Sequence, residues 1–579
     1  MPFAATFIAP KPCAQHTYQY THPHARRGSL WKTFAKPRSA PRRARYRASK
    51  SQNIRSETKP TAVVVGGGWA GFGAAWQLIK LGFEVQLVDA SPNPGGLASG
   101  WRTSQGRAVE AGVKGFWSHY ANIFSLVEEL DLDSDPFTEW TASAFWSPRG
   151  LEVKAPVFQD LPRLPTPLGN FVYTAPEFTR LSLEDRLTAL PLIQALLEFD
   201  LDEESFSKYD KMTARELFLR NGVSPSLYRD FLEPILLALL FVPLEQLSAA
   251  TALAVLYNYV LAHQSDFDVR WCRGAIAERI FSPWRAAIEH AGGTVEGGWR
   301  VEEVQVENGV GAAIKASTAG PDGAARSVRS LEADYFVLAV GVGALQGITR
   351  GSPGLARRPE FRALGNLDKV DVLAVRLWFD RKIEVTPSAS NVLAGFDEGV
   401  AGTFFDLTAL HDEYASEEGS VIEVDLYNAA IFMPLGDEAI LEEVHLRYLG
   451  GCIPAFRSAR IVDSSVLKFP KAVTKFSPGS YAWMPDSVTS LSNLMLAGDH
   501  IKHGPSAHGA RGLSQEKALV TGMIAANVCA ERKGLRVPTK LRPIPVERDE
   551  IHIAAAKEIA MQARQVFNMT RVFQNGNSV

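Results

Sequence analysis

The sequence predicts an α/β protein: a doubly wound, Rossmann-like dinucleotide-binding domain, discontinuous in the chain, with an inserted α+β domain. Three observations predict it. A strand, a glycine-rich turn, a helix and a second strand follow one another between Thr61 and Asp89. Two more apolar strands, at 334–340 and within 493–500, run into glycines much later in the chain. Between those pieces, residues 366–486 alternate strand-like runs with a helix near Asp437 to Tyr448, a pattern unlike the first part.

The N-terminal stretch stands outside this fold. Residues 1–56 hold twelve Lys and Arg and no Asp or Glu, with much Ser, Thr, Ala and Pro and no long apolar core. That composition reads as an organelle transit peptide over 1–57, directing the chain to a plastid, with the mitochondrion as second choice. The alternative is a basic arm for an acidic surface. The chain as a whole, at 579 residues and a formal charge of −2, gives no global ground for nucleic-acid binding and has room for two domains. Cys13, Cys272, Cys452 and Cys529 are far apart, so neither a disulfide framework nor a metal site is indicated.

The first element justifies itself residue by residue. Ala62 to Val65 is too short for a helix and rich in β-branched Val, as a buried parallel strand would be. Gly66, Gly68 and Gly71 fit G-x-G-x-x-G: one glycine for the turn, one for backbone approach to a pyrophosphate, one for close helix–strand packing. Ala74 to Leu81 continues as a helix, whose N-terminal N–H groups face the phosphates. Gly82 ends that helix, Glu84 to Val88 form the second strand, and Asp89 stands eighteen residues beyond Gly71, where a carboxylate accepts from an adenosine ribose. The pair Gly95-Gly96 then brings a second stretch of backbone towards a phosphate or ribityl chain.

Further on, an amphipathic helix is expected around Asn122 to Leu130, and residues 137–175, broken by many prolines, read as irregular. Ser182 with Asp185, and Thr213 with Glu216, resemble capping boxes opening two helices. Residues 231–263 form the most apolar segment. Pro234, Pro243 and Glu245 divide it, so it reads as a buried helical core or a greasy entrance for an apolar substrate rather than a membrane span. Strand patterns follow at 292–306, and a small-residue helix at 513–527 succeeds the strand that presents Gly498 and Asp499. Pro538, Pro543 and Pro545 make a linker before a last amphipathic helix over 547–573.

Together these stretches resemble the flavin-dependent amine oxidase and carotene desaturase superfamily, especially the phytoene and zeta-carotene desaturase-related proteins of plastids. The resemblance covers about residues 61–530 and rests on the glycine fingerprint, Gly95-Gly96, and Gly498-Asp499 followed by Gln515 to Ala518 and Gly522. It implies FAD. Gly66, Gly68, Trp69, Ala70 and Gly71 would hold the pyrophosphate, Asp89 the adenosine ribose, and Val301 the adenine through its backbone. Asp499 would sit by the ribityl–pyrophosphate region, and the last helix, with Glu516 in its first turn, would flank the isoalloxazine ring. The expected division is FAD-binding at 58–135, 271–350 and 489–535, substrate-facing at 136–270 and 351–488, and a linker and helix at 536–579. Departures are Leu97 after the glycine pair, Lys114 where desaturases commonly have histidine, and a longer loop after Asp499 that carries His503 and His508.

The expected activity is FAD-dependent oxidation of an apolar substrate, by hydride or electron transfer to the flavin, with carotenoid or other isoprenoid desaturation foremost. Such a reaction would use a membrane quinone as acceptor and peripheral contact with a thylakoid or envelope membrane. Amine oxidation, non-redox carotenoid isomerisation and a flavin-binding regulatory role are the alternatives. Lys114, Tyr481 and Trp483 are the catalytic candidates: Lys114 would poise the flavin or pair with Glu110, and the two aromatics would line an aromatic slot or belong to the core.

Overall fold

Apolar runs flanked by glycine dictate the first layer. The computed structural model describes residues 59–562 except 179, 200–202, 319–326, 503–511 and 548, so the expected transit peptide, His503 and His508 lie outside the described residues. α1 (Trp69–Lys80) starts earlier than expected, inside the glycine motif itself, while β1 (Thr61–Val65) and β2 (Glu84–Val88) form where the sequence places them. They are joined by β3 (Thr294–Glu296), β4 (Tyr335–Leu338) and β5 (Leu494–Leu496) in a sheet of order β5-β4-β1-β2-β3, parallel throughout. Three separated parts of the chain thus build one sheet. An antiparallel three-stranded sheet, Arg300–Glu307, Val310–Thr318 and Ser327–Glu332, is inserted between β3 and β4.

α2 (Gln515–Arg532) lies across α1. Gly522 sets their separation: a Cβ there would stand 2.0 Å from the Ala70 carbonyl oxygen, so only glycine permits this crossing. On its other side α1 packs Phe72 against Phe281 and Trp284, at ring-centroid distances of 5.0 and 5.2 Å. The helix that carries the fingerprint is therefore fixed on both flanks.

The second layer is a seven-stranded sheet of order Ile461–Lys475, Asp368–Phe379, Val421–Tyr427, Val400–Asp406, Asn391–Asp397, Ser143–Ser147, Gly150–Ala155. Its pairings are antiparallel except that of Asn391–Asp397 with Ser143–Ser147. The last two strands correct the reading of 137–175 as irregular. They are a hairpin between proline-rich loops, stabilised by pairing with a strand some 250 residues later, a partnership that local pattern does not encode.

The helices between Ser182 and His263 begin as their caps predict. The amide of Asp185 donates to Ser182 Oγ and that of Glu216 to Thr213 Oγ1, each at 3.0 Å. The apolar segment forms helices Glu233–Leu240 and Ala249–Leu256, whose Leu236, Leu240, Leu253 and Leu256 are buried in the main core. Exposed apolar side chains in the preceding stretch include Leu168, Phe171, Val172, Leu183, Leu187 and Leu190. Among the described residues no helix is long and apolar enough to cross a membrane. The described part of the final helix runs 551–562.

Candidate functional site

The carboxyl ends of β1, β2, β4 and β5 open into one continuous cavity of about 970 Å³, lined there by Val65, Val88, Ala339 and Gly498. In an open parallel sheet this edge is where ligands bind. The seven-stranded sheet lines the same cavity with Phe145, Val392, Thr403, Phe405, Tyr427 and Thr474. The cavity has a polar limb and an aromatic limb.

The polar limb begins where two loops meet backbone to backbone. Gly96 has φ +58, and a Cβ on it would stand 2.9 Å from Gly68 Cα. Side chains on these residues would fill the cradle; without them, the first-turn N–H groups of α1, which have no intrahelical acceptor, border the space. Gly66, Gly68, Trp69, Ala70, Asp89, Gly95, Gly96, Val301, Gly498 and Asp499 all line the cavity. Gly71 does not; it lies under the turn, where its Cα touches the Gly66 carbonyl so closely that a Cβ would fall 1.7 Å from that oxygen. Asp89 already accepts from the amides of Gly67 and Ser91, the latter at 2.6 Å, which fixes its carboxylate at the end of β2.

Asp499 accepts from Thr474 Oγ1 at 3.1 Å, and its carbonyl accepts from Lys517 Nζ. Burial pushes its carboxyl up, but His500, Lys517 and Thr474 outweigh that and hold it below the usual carboxylate range. Gln515 ties the limb together: it accepts from Trp69 Nε1 at 2.8 Å and donates to the Gly115 carbonyl at 2.9 Å. This cradle, a helix N-terminus and two carboxylates fit an extended dinucleotide.

Besides Gly71, three expected site residues lie off the cavity. Glu516 is fully buried away from the cavity wall, where it accepts from the amides of Asn122 (2.7 Å) and Ile123 (2.9 Å) and caps the helix Ala121–Glu129. A carboxylate in the first turn of α2 finds the positive end of a neighbouring helix before it finds a ligand. Tyr481 is core, its ring 4.3 Å from that of Phe206, and Trp483 points outward with 44% exposure. The 3₁₀ turn Ser480–Trp483 sends the two rings to opposite sides.

Lys114 does line the cavity. Its ammonium donates to the carbonyls of Ala111 and Gly112, the latter at 2.8 Å. Around it lie buried Glu110, Arg376, Glu423 and Asp425, of which Arg376 pairs with Glu423 and stands 3.8 Å from Glu110. Burial lowers the Lys114 pKa, and Asp425, Glu110 and Glu423 offset that only in part. Burial likewise pushes Glu110 up to about 7, against the opposing charges of Arg376 and Lys114. Of these partners the sequence reading singled out only Glu110; alternation of acids with apolar residues in Val421–Tyr427 was the one available signal.

The aromatic limb was not foreseen residue by residue. Trp117 meets Tyr259 edge-on at 4.8 Å and Trp271 meets Phe405 at 4.8 Å. Phe241 ends the helix Glu233–Leu240 in the left-handed region, φ 62, a strained conformation for a bulky residue. That conformation lays its ring flat on Tyr427, centroids 3.9 Å apart. Ile235, Ala238 and Leu239 complete the wall. The 231–263 segment is therefore both core and cavity lining, one helix face serving each.

A doubly wound sheet that presents such a cradle to a cavity shared with a second sheet is the architecture of a dinucleotide-binding protein. The family model for flavin containing amine oxidoreductases matches residues 69–529. The chain belongs to that family and is a flavin-dependent oxidoreductase. It is 25% identical over 493 residues to a probable zeta-carotene desaturase of Synechococcus elongatus, covering 82% of this chain and 99% of the relative. It is 24% identical to the chloroplastic/chromoplastic zeta-carotene desaturase of Zea mays, covering 77% and 80%. Among solved structures, cyclohexylamine oxidase from Brevibacterium oxydans is similar in fold, with TM-score 0.60 and 16% identity over 82% of this chain and 100% of that one.

Proposed function

We propose that the polar limb binds FAD and that the aromatic limb binds a large apolar substrate, a carotenoid or another isoprenoid lipid, which is desaturated. One observation carries this reading: a single cavity joins the glycine cradle to a wall of Phe241, Tyr427, Leu239 and Phe145. In it, the Gly66–Gly68 and Gly95-Gly96 backbones take the pyrophosphate, Asp89 the adenosine ribose, Val301 the adenine and Asp499 the ribityl region. FAD supplies the capacity to take a hydride, or two electrons and a proton, from a substrate C–H bond. The chain's own residues orient that bond and exclude water. Apolar contact at about 25 cal/mol per Å² holds a polyene without a specific polar partner. The curated relatives, desaturases of zeta-carotene and phytoene, support the substrate class.

In this reading a membrane quinone serves as acceptor and the plastid is the compartment. The exposed Leu168, Phe171, Leu187 and Leu190 form the face that rests on lipid. The test is to extract the native protein's cofactor and ligands for mass analysis, then to incubate the holoprotein with polyenes in micelles and a quinone. A product lighter by a hydrogen pair is expected. An unchanged mass with a shifted double-bond geometry would make the enzyme an isomerase, and turnover of a small amine with no turnover of polyenes would make it an amine oxidase.

A further inference from the structure

We propose that Lys114 is the fixed cation that sets the electron affinity of the bound flavin, by compensating the negative charge the ring gains on reduction. This rests on the reading that the polar limb holds FAD.

Three features of the structure carry it. First, the ammonium is immobilised. It donates to the carbonyls of Ala111 and Gly112, so two of its three N–H bonds are committed and the third has no acceptor among the described residues. Second, no carboxylate among the described residues bonds the ammonium directly. Lys114 makes no ion pair among the described residues, although carboxylates face it from two elements: Glu110 from the strand Ala108–Glu110, and Glu423 and Asp425 from Val421–Tyr427. Arg376, on Asp368–Phe379, absorbs Glu423 directly and stands 3.8 Å from Glu110. Asp425 is held by the Val113 amide at 2.9 Å, and its Oδ1 accepts nothing among the described residues. The carboxylates thus favour the protonated lysine from a distance, and their own attention goes to Arg376 and backbone.

Third, the lysine stands at the junction of the two limbs. Its neighbour Gly115 accepts from Gln515, the first residue of α2, and Gly115 pairs in register with Trp271 of the aromatic limb. Burial disfavours the charged lysine and the surrounding carboxylates offset that only in part, so an electron-rich group at its third N–H would lower the remaining cost. A hydrocarbon substrate offers that N–H no hydrogen-bond acceptor. A flavin that takes up two electrons with one proton carries one more negative charge than before, and positive charge near the ring tunes its electronics. The substrate loses the matching two electrons and one proton as a hydride and releases its second proton to solvent, and a quinone-class acceptor removes the electrons afterwards.

The experiment is potentiometric and needs no substrate. Holoproteins of wild type, Lys114→Met, Lys114→Gln and Lys114→Arg are titrated with a reference dye across a range of pH. In wild type, uptake of one proton per electron pair gives a midpoint slope of about 30 mV per pH unit, since a tenfold change is ~30 mV for two electrons. Lys114→Met and Lys114→Gln should each weaken the preference for reduced over oxidised FAD at least tenfold, a fall of about 30 mV or more. Lys114→Arg should restore the wild-type value. Wild-type potentials in both neutral variants, or a wild-type slope near twice 30 mV, would overturn the proposal while leaving FAD binding intact. If Lys114→Met does not fold, Lys114→Gln and the wild-type slope still decide. A wild-type protein that holds no FAD at all would remove the functional reading itself.

Discussion

Gly68 and Gly71 stand three residues apart in one turn, and the structure assigns them different jobs that alanine separates. At Gly68 an added Cβ would meet only Gly96 Cα, at 3.6 Å, an ordinary contact. The apoprotein should therefore fold, with a loss of at most about 1 kcal/mol for a poorer N-cap on α1. The methyl instead occupies the cradle, and the FAD dissociation constant should rise about 10–100-fold, equivalent to ~1.4–2.8 kcal/mol. At Gly71 the Cβ would stand 1.7 Å from the Gly66 carbonyl oxygen. A normal contact is about 3.5 Å, so the backbone would have to yield by nearly 2 Å. Gly66 is anchored through its amide to the Val88 carbonyl at 2.8 Å, so the shift spreads into β1 and β2. Overpacking of this kind costs about 1–3 kcal/mol or more and falls on the fold itself. Flavin absorbance per protein gives occupancy, and melting of the cofactor-stripped proteins gives stability. Gly68→Ala with full occupancy, or Gly71→Ala melting like wild type, would refute this reasoning.

The remaining expectations follow from burial and charge. Leu239→Asp, on the cavity wall, should keep FAD and lose polyene binding, whereas Leu256→Asp, buried in the core, should yield little soluble protein; equal behaviour of the two in solubility and binding assays would contradict the division of that segment. Glu110 has its folded pKa raised from 4.5 to about 7 by burial. Its contribution to stability is therefore present below its unfolded value and lost as pH rises through about 7, by ~3 kcal/mol at most. Denaturant melts of Glu110→Gln should accordingly decline less than wild type between about pH 5 and 8. The paired change Leu187→Glu with Leu190→Glu should reduce sedimentation with lipid vesicles several-fold and leave FAD occupancy alone; unchanged sedimentation would remove the lipid-facing role of that surface.

What could be read from sequence was what is decided locally. β1, α1 and β2 follow from a β-branched run, three glycines and an acid within thirty residues, and the caps at Ser182 and Thr213 follow from side chains three positions from their amides. Long-range pairing was silent: nothing in Ser143–Ser147 announces Asn391–Asp397 as its neighbour. Glu516 shows the same limit at the site. Its place in the first turn of α2 was legible, but the helix end that claims its carboxylate lies 394 residues away in sequence. Tyr481 and Trp483 were near the right strand, yet a single turn of backbone decided that neither reaches the cavity.

The ion cluster beneath Lys114 raises the question of why so many charges are buried where apolar side chains would fill the space. Desolvation costs several kcal/mol per ion, so Arg376, Glu110 and Glu423 are a poor source of stability. Their directional bonds do something hydrophobic contact cannot. Arg376 donates to the Ala108 carbonyl at 2.6 Å while pairing with Glu423, which ties the strand Ala108–Glu110 to the face of the seven-stranded sheet. Glu110 in turn accepts from the Ile276 amide at 3.1 Å. The loop from Ala111 to Lys114 leaves this strand directly, so its height above the cavity is set by hydrogen-bond lengths. Apolar packing would tolerate a slip of a few tenths of an ångström between the layers. An electron-transfer site assembled from two sheets depends on that distance, because misplacement by 1 Å can cost a hundredfold in rate. The buried charges exchange stability for a fixed position of the Ala111–Lys114 loop against the seven-stranded sheet.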